Sequence, residues 1–474
     1  MNTVVASCVF ASVWMAEGDQ MQQTPFTTEV SRDVLVNKPD YIVFIPRMPQ
    51  SWQRRNDKTP PSTDRLRMRG DCYNDHFQVL EDSRRGMLFA FWTQATYEGH
   101  ADQHIAFSKS ADGGNTWSEP VVLAGSECRA LPKLRASWQQ PMLSRDGRLY
   151  CLWNQQTTSR GPHYGQMFGR YSDDCGETWT SPKQVQFAMR MDQDDANPLV
   201  PPCWCNWQRP LRLGADGRYF VGCSRHGKAP YDKKSCCKIE FWQFENIDEN
   251  PFVEDIRISY FATNRNALDV SRIAPTPGVT YFEPSVGPTG APEGPAVEEA
   301  SVMKLPDGRL FAVMRSSVGC PVWSQSRDGG RTWSDLKALL NKDGGTPYKH
   351  PRSPCPFYDW KGPEAGSGLY FGLVHCTFDM NQKTAYQKRG PLYLIAGRFN
   401  PNAEQPVEFM EPKLFAPREN GNSFYSSYTV LNGKGVLWFN DKKYYLLGRN
   451  IGAEWFEETT TEIGVSAKAT SPAR

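Results

Sequence analysis

Along most of this chain the apolar positions come in short runs, such as Ile105-Ala-Phe107, Met167-Phe-Gly169 and Val322-Trp323, each closed by turn-forming residues. Few stretches repeat apolar residues at the spacing of a helix face, so the pattern predicts many short strands joined by tight turns. One turn sequence recurs in full: Ser-x-Asp-x-Gly-x-Thr-Trp stands at Ser110 to Trp117, Ser172 to Trp179 and Ser326 to Trp333. Its residue types suit a turn between two strands. Asp accepts hydrogen bonds from turn amides, Gly takes a positive φ, and Trp covers the apolar base of the hairpin. The motif therefore reads as a structural staple. A second turn interleaves with it at Asp146-Gly-Arg148, Asp216-Gly-Arg218 and Asp307-Gly-Arg309, with looser forms at Arg85-Gly86 and Asn432-Gly433, and each reads as a hairpin entering a strand. Alternation of the two turns outlines four-stranded units. Radial stacking of such units leaves few unpaired edges, which predicts an all-β fold: a six- or seven-bladed β-propeller of four-stranded antiparallel blades.

The repeats fall within residues 72–459, the expected propeller domain. Residues 1–71 carry no clear repeat and are rich in Pro, Arg and Gln, as a leader and packing arm would be, and residues 460–474 read as a frayed tail. Composition agrees, since 15 Trp, 19 Tyr and 25 Phe accompany 38 Gly and 36 Pro in 474 residues. Lys and Arg number 54 against 52 Asp and Glu, with no long block of one sign, which argues against nucleic acid or a membrane surface as partner. Thr3 to Ala16 are apolar enough for the remnant of a secretory leader, yet the first basic residue is Arg32, so a secreted or periplasmic location stays open. No other stretch approaches the roughly 18 apolar residues of a membrane span. The 13 cysteines are odd in number, and neither Cys203-Trp-Cys205 nor Cys236-Cys237 has the paired spacing of a zinc site, so no metal or other cofactor is expected.

The triple motif is an Asp box, and with the turn-and-strand repeats from about Asp71 to Glu457 it resembles the BNR repeats of the sialidase (neuraminidase) superfamily. That resemblance implies the propeller and says little about the reaction, because the Asp box also occurs in non-catalytic proteins and in related lyases. Sialidases hold the substrate carboxylate with three arginines and assist catalysis with a Tyr–Glu pair and an Asp. The stretch from Glu299 to Arg315, turning at Asp307-Gly308, resembles the family's Glu-to-arginine strand pair. Glu298 precedes Glu299, and one of the two acids is expected to be simply solvated. Arg389-Gly-Pro-Leu-Tyr-Leu-Ile395 resembles the strand with the third arginine, and Tyr425-Ser-Ser-Tyr-Thr-Val-Leu431 the strand with the catalytic tyrosine. A guanidinium offers a rigid fork to a carboxylate, and Glu beside Tyr takes the phenolic proton to make a nucleophile.

The departure lies at the front. Where sialidases present Arg-Ile-Pro on the first propeller strand, this chain reads Tyr73-Asn-Asp-His-Phe-Gln-Val-Leu80, which puts His76 in the place of that arginine; Arg47-Met-Pro49 lies far upstream of the matching turn. The family's catalytic Asp falls on a loop before the first Asp box, where this chain has Glu98-Gly-His-Ala-Asp102-Gln-His104. His76, His100 and His104 thus gather near one face, and His163-Tyr164 precedes the second box in a similar position. At His76 the chain is similar to propeller lyases and hydrolases acting on rhamnose–glucuronate linkages and ulvan-type polysaccharides. Three readings follow, each with a glycan or polysaccharide as partner. A sialidase-type exo-glycosidase would grip a terminal sialic or uronic acid with Arg315 and Arg389, attack with Tyr425 and Glu299, and use Asp102 as acid/base. A polysaccharide lyase would use His76 or His104 as base and a tyrosine as acid on a uronate. In either enzyme His100, His163 and Tyr164 would contact substrate. A non-catalytic carbohydrate-binding propeller would stack sugars on Trp153, Trp204 and Trp207. Acids, bases and cations together favour an enzyme, with the hydrolase first.

Overall fold

The computed structural model describes residues 32–457 apart from 49, 54–69, 126–134, 159–162, 187–190, 228–236, 288–289 and 291–293; the expected leader and tail lie outside the described residues. Six antiparallel sheets, each built on a four-strand path, make the six blades of a β-propeller. Blade 1 runs outward over Tyr73–Asp82, Met87–Ala95, His104–Ser110 and Val121–Gly125. Blade 2 follows with Ala136–Leu143, Leu149–Gln156, Gly165–Ser172 and Lys183–Gln184. The inner strands of blades 3, 4 and 5 are Trp204–Cys205, Val297–Lys304 and Phe357–Asp359, and blade 5 carries an extra strand, Lys413–Ala416. Blade 6 starts at Ser427–Leu431 and takes its outermost strand, Tyr41–Phe44, from the segment before the repeats, paired with Tyr445–Asn450. Two distant parts of the chain thus share one sheet and close the ring.

Both recurrent turns sit where the strand pattern puts them. The Asp-Gly turns and their looser relatives join the first and second strands of blades 1, 2, 3, 4 and 6, and the Asp boxes join the third and fourth strands of blades 1, 2 and 4. In the first box Asp112 Oδ1 accepts from Ser110 Oγ at 2.8 Å and from the Thr116 amide at 2.9 Å, while Thr116 Oγ1 donates to Oδ2 at 2.6 Å. The same contacts recur around Asp174 and Asp328. Each box tryptophan then packs on the preceding blade: Trp117 on Trp438, Trp179 on Phe107, and Trp333 stacked on Phe241 with ring centroids 4.1 Å apart.

The core is divided accordingly. Six main apolar clusters lie one between each neighbouring pair of blades, for example Phe89, Phe107 and Trp153 between blades 1 and 2 and Leu394, Phe439 and Tyr428 between blades 5 and 6. Near the axis, polar links join the inner strands: the Val79 amide donates to Ser427 Oγ at 2.7 Å, Val302 to Gln208 Oε1 at 3.0 Å and Phe357 to Ser301 Oγ at 3.1 Å. No helix among the described residues is long and apolar enough to cross a membrane.

Candidate active site

The inner strands of blades 1, 2 and 4 each lose register near their start by one extra residue. At each break a residue other than glycine adopts left-handed backbone: His76 with φ 51°, Trp138 with φ 53° and Glu299 with φ 58°. A bulge re-aims a side chain, and holding a bulky residue in this region costs about 1–3 kcal/mol that surrounding structure must offset. His76 and Glu299 both meet Tyr425, which precedes the inner strand of blade 6 and is anchored by its amide on Asn440 Oδ1 at 2.9 Å.

The Tyr425 hydroxyl donates to Glu299 Oε1 at 2.8 Å and accepts from Arg315 Nη1 at 2.9 Å, and that same Nη1 donates to Glu299 Oε2 at 2.7 Å. Glu299 and Arg315 come from the first two strands of blade 4, where Arg315 stands opposite Glu298 in the ladder. Burial pushes the phenol well above its ordinary pKa and the Glu299 charge adds to this, whereas Arg315 favours the phenolate. Tyr425 therefore rests protonated, with an acceptor and a cation already in place for attack. The expectation that one of the two acids is solvated does not hold, since Glu299 and Glu298 are both buried. Glu298 lies 3.1 Å from Arg315 Nε and is gripped by Arg352 at 2.8 and 2.9 Å. Burial opposes its charge, but Arg352 and Arg315 hold it well below the usual carboxylate range.

Arg389 lies just before the third strand of blade 5, Leu392–Phe399, and donates to Ser423 Oγ at 2.6 Å and to the Arg352 carbonyl at 2.7 Å. Among the described residues its guanidinium has no carboxylate partner, and burial together with Arg315 lowers its pKa. A half-buried guanidinium of this kind suits a substrate carboxylate. Lys443 Nζ, 5.3 Å from the centroid of the Tyr425 ring, pairs with Asp75 at 2.9 Å and with Glu98 at 3.2 Å. Asp75 is buried and also accepts from Tyr73 and Asn440. The Glu98 side chain stays 64% exposed, and the Lys443 ammonium holds its carboxyl down at about 2.

The loop acid beside this group is thus Glu98 rather than Asp102. Asp102 is spent on its own loop, accepting from the Thr96 amide and hydroxyl at 3.1 and 2.6 Å and lying 2.6 Å from His100 Nδ1. The His100 ring packs on Tyr97 with centroids 4.6 Å apart. His104 is fully buried, with Nδ1 at 2.7 Å from the Asp102 carbonyl and Nε2 at 3.1 Å from Gln94 Oε1, so it presents no atom to a substrate.

His76 does reach the Tyr425 ring, with centroids 4.6 Å apart. Its Nε2 accepts from Trp138 Nε1 at 3.0 Å, and because an indole N–H only donates, the proton of the neutral imidazole sits on Nδ1, 3.9 Å from Asp75 Oδ2. Burial lowers its pKa. The one lone pair a base would use is therefore engaged by Trp138. His163 stacks on that same indole at 4.5 Å, and burial followed by the neighbouring His226 brings its pKa to about 3. Tyr164 lies behind it, buried and bridged to Cys203. Arg47 forms a surface pair with Glu119 at 3.0 Å, its side chain 69% exposed. Trp153, Trp204 and Trp207 are buried and have no face to offer a sugar.

The comparisons with known proteins agree with this scaffold. Residues 86–228 match a family model described as a BNR repeat-like domain. The chain is similar to the tail spike protein of an Escherichia phage, 25% identical over 304 residues, which are 53% of this chain and 35% of that protein. It is also similar to the anhydrosialidase of Macrobdella decora, 32% identical over 97 residues, 18% of this chain and 13% of the relative. The chain thus spans 35% and 13% of the length of these curated relatives. Among solved structures, a Hadza microbial sialidase superposes with a TM-score of 0.55 at 13% identity, covering 81% of this chain and 66% of that one. A likeness at this identity is one of fold.

Proposed function

We propose, on the premise that this chain is a BNR-repeat β-propeller of the sialidase-like superfamily, that it hydrolyses the linkage of a terminal acidic sugar in a glycan by attack of a tyrosine. The observation that carries this reading is the Tyr425 hydroxyl held between Glu299 Oε1 and Arg315 Nη1. As the phenolic oxygen closes on the anomeric carbon, Glu299 takes its proton and Arg315 steadies the charge that develops. Arg389 receives the carboxylate of the sugar, a demand that a sialic and a uronic acid both meet. Glu98, ionised at rest, takes a proton from the water that resolves the intermediate, while solvent protonates the departing oxygen. Its resting pair with Lys443 opens for it to do so.

The lyase reading needs a base with a free lone pair beside the sugar, and the engagement of His76 by Trp138 weighs against it. Incubation with sialyl and with uronate-containing glycans, following reducing sugar and ultraviolet absorbance together, tests the choice. The hydrolase reading expects reducing sugar without an unsaturated product, and loss of that activity in Tyr425→Phe. An unsaturated product formed equally well by Tyr425→Phe would overturn it.

A further inference from the structure

Over the face of the Trp138 ring, whose Nε1 edge meets His76, a second set of side chains converges. We propose that His163, Cys205 and His226 form a binding site for a zinc-class divalent cation between blades 2 and 3. One ligand atom from each, two imidazole nitrogens and the thiol sulfur, lies within 4.8 Å of the others, and Cys205 Sγ is already 3.5 Å from His226 Nε2. Tetrahedral zinc, with bonds of about 2.0–2.1 Å to nitrogen and 2.3 Å to sulfur, places its ligands about 3.5 Å apart, so closure needs small side-chain adjustments only. Two imidazoles and one sulfur are a borderline-soft set, which selects zinc or cobalt over calcium and magnesium.

The backbone is already fixed for this purpose. The Trp204 amide donates to the His163 carbonyl at 3.0 Å, the His226 amide to the Cys203 carbonyl at 2.8 Å, and Tyr164 bridges Cys203 between the blades. All three ligand-bearing segments are thereby tied to one strand, the inner strand of blade 3. His226 also belongs to a second set with Cys237 and Glu298. Glu298 is committed to Arg315 and Arg352, which leaves the Cys205 set as the site. On binding, the Cys205 thiol coordinates as thiolate and gives up one proton to solvent.

The site is coupled to the cleft through rings in contact. His163 stacks on Trp138, Trp138 donates to His76, and His76 packs on Tyr425. A cation on His163 would touch no reacting atom.

The test uses the full chain without substrate, so it can fail while the tyrosine chemistry stands. After stripping with chelator, the protein is titrated with cobalt(II) and the spectrum followed, and its zinc content is measured by mass spectrometry after reloading. The expected result is one equivalent of metal, a thiolate-to-cobalt charge-transfer band in the near ultraviolet and visible bands of tetrahedral intensity. Cys205→Ser should abolish the charge-transfer band and His226→Gln should weaken binding at least tenfold, whereas Cys151→Ser, at a buried cysteine in blade 2, should retain both. If a variant fails to fold, the titration of the unaltered chain decides. Absence of the charge-transfer band there, or its persistence in folded Cys205→Ser, overturns the proposal.

Discussion

Tyr425 rests as a phenol because burial and the Glu299 charge both oppose its ionisation while Arg315 favours it. If that balance is used in catalysis, Glu299→Gln keeps a hydrogen-bonding side chain but removes the base, and kcat should fall by about 10²–10⁴ with the circular dichroism spectrum unchanged. Lys443 acts on a second carboxylate, holding Glu98 near 2 against an ordinary 4.5. Removing the ammonium in Lys443→Met should raise that pKa toward 4.5, so the acid limb of a pH profile of kcat should move up in the variant. An unmoved limb would exclude Glu98 as the titrating group. Glu299, Arg315, Arg389 and Tyr425 were singled out in the sequence because the stretches that carry them resemble strands of the sialidase family, and the structure brings them together. Arg352, Trp138 and Lys443 were not, since Arg352 joins the site from the segment between blades 4 and 5, Trp138 through a bulge and Lys443 through ring closure, and none of these marks the local sequence. The same limit explains Asp102: loop position pointed to an acid there, but which acid on the loop faces Lys443 depends on how Thr96 and His100 satisfy the other.

At the scale of single elements, the Asp box shows why one glycine in it is fixed and its neighbour is not. Gly114, Gly176 and Gly330 have φ of +96°, +81° and +89°, and a Cβ on them would stand 2.6 Å from Trp438, 2.4 Å from Phe107 and 2.4 Å from Phe220 of the preceding blade. Gly113 shares the positive φ, at +73°, but meets nothing within 4 Å. Gly113→Ala should therefore cost about 1–2 kcal/mol, the backbone term alone. Gly114→Ala should add overpacking of about 1–3 kcal/mol, and urea unfolding of the two variants measures the difference. The box itself was readable from residue types. The inner-strand bulges at His76, Trp138 and Glu299 were not, because one extra residue in a buried strand leaves the apolar pattern on either side intact.

For the whole molecule, the turn spacing pointed to a propeller but left six or seven blades open, and the reason is physical. Blades 3, 5 and 6 lack the full box motif, and blade 6 borrows Tyr41–Phe44 for its outer strand, so the repeat cannot be counted along the chain. That closure is latched by Arg418, which pairs with Asp441 at 2.8 Å in blade 6 and with Asp33 at 2.7 Å in the arm, while Lys442 also holds Asp33. The stability of the ring should depend on pH through His350, buried on the segment between blades 4 and 5 with Nε2 3.1 Å from the Ser353 carbonyl and Nδ1 accepting from the His375 amide. Burial lowers its pKa from 6.5 to about 4, so it is neutral in the folded protein while the unfolded chain takes up a proton below 6.5. Its contribution is complete above that value and is lost as pH falls toward 4. Denaturant unfolding at pH 7 and at pH 5 should differ by about 2 kcal/mol from this group alone.

Tyr425 as the nucleophile is tested most directly by mass spectrometry of peptides from enzyme quenched in acid during turnover. A glycosyl adduct on the peptide containing Tyr425, absent from Tyr425→Phe, is the result expected. Turnover that leaves Tyr425 unmodified and releases an unsaturated uronate would contradict it.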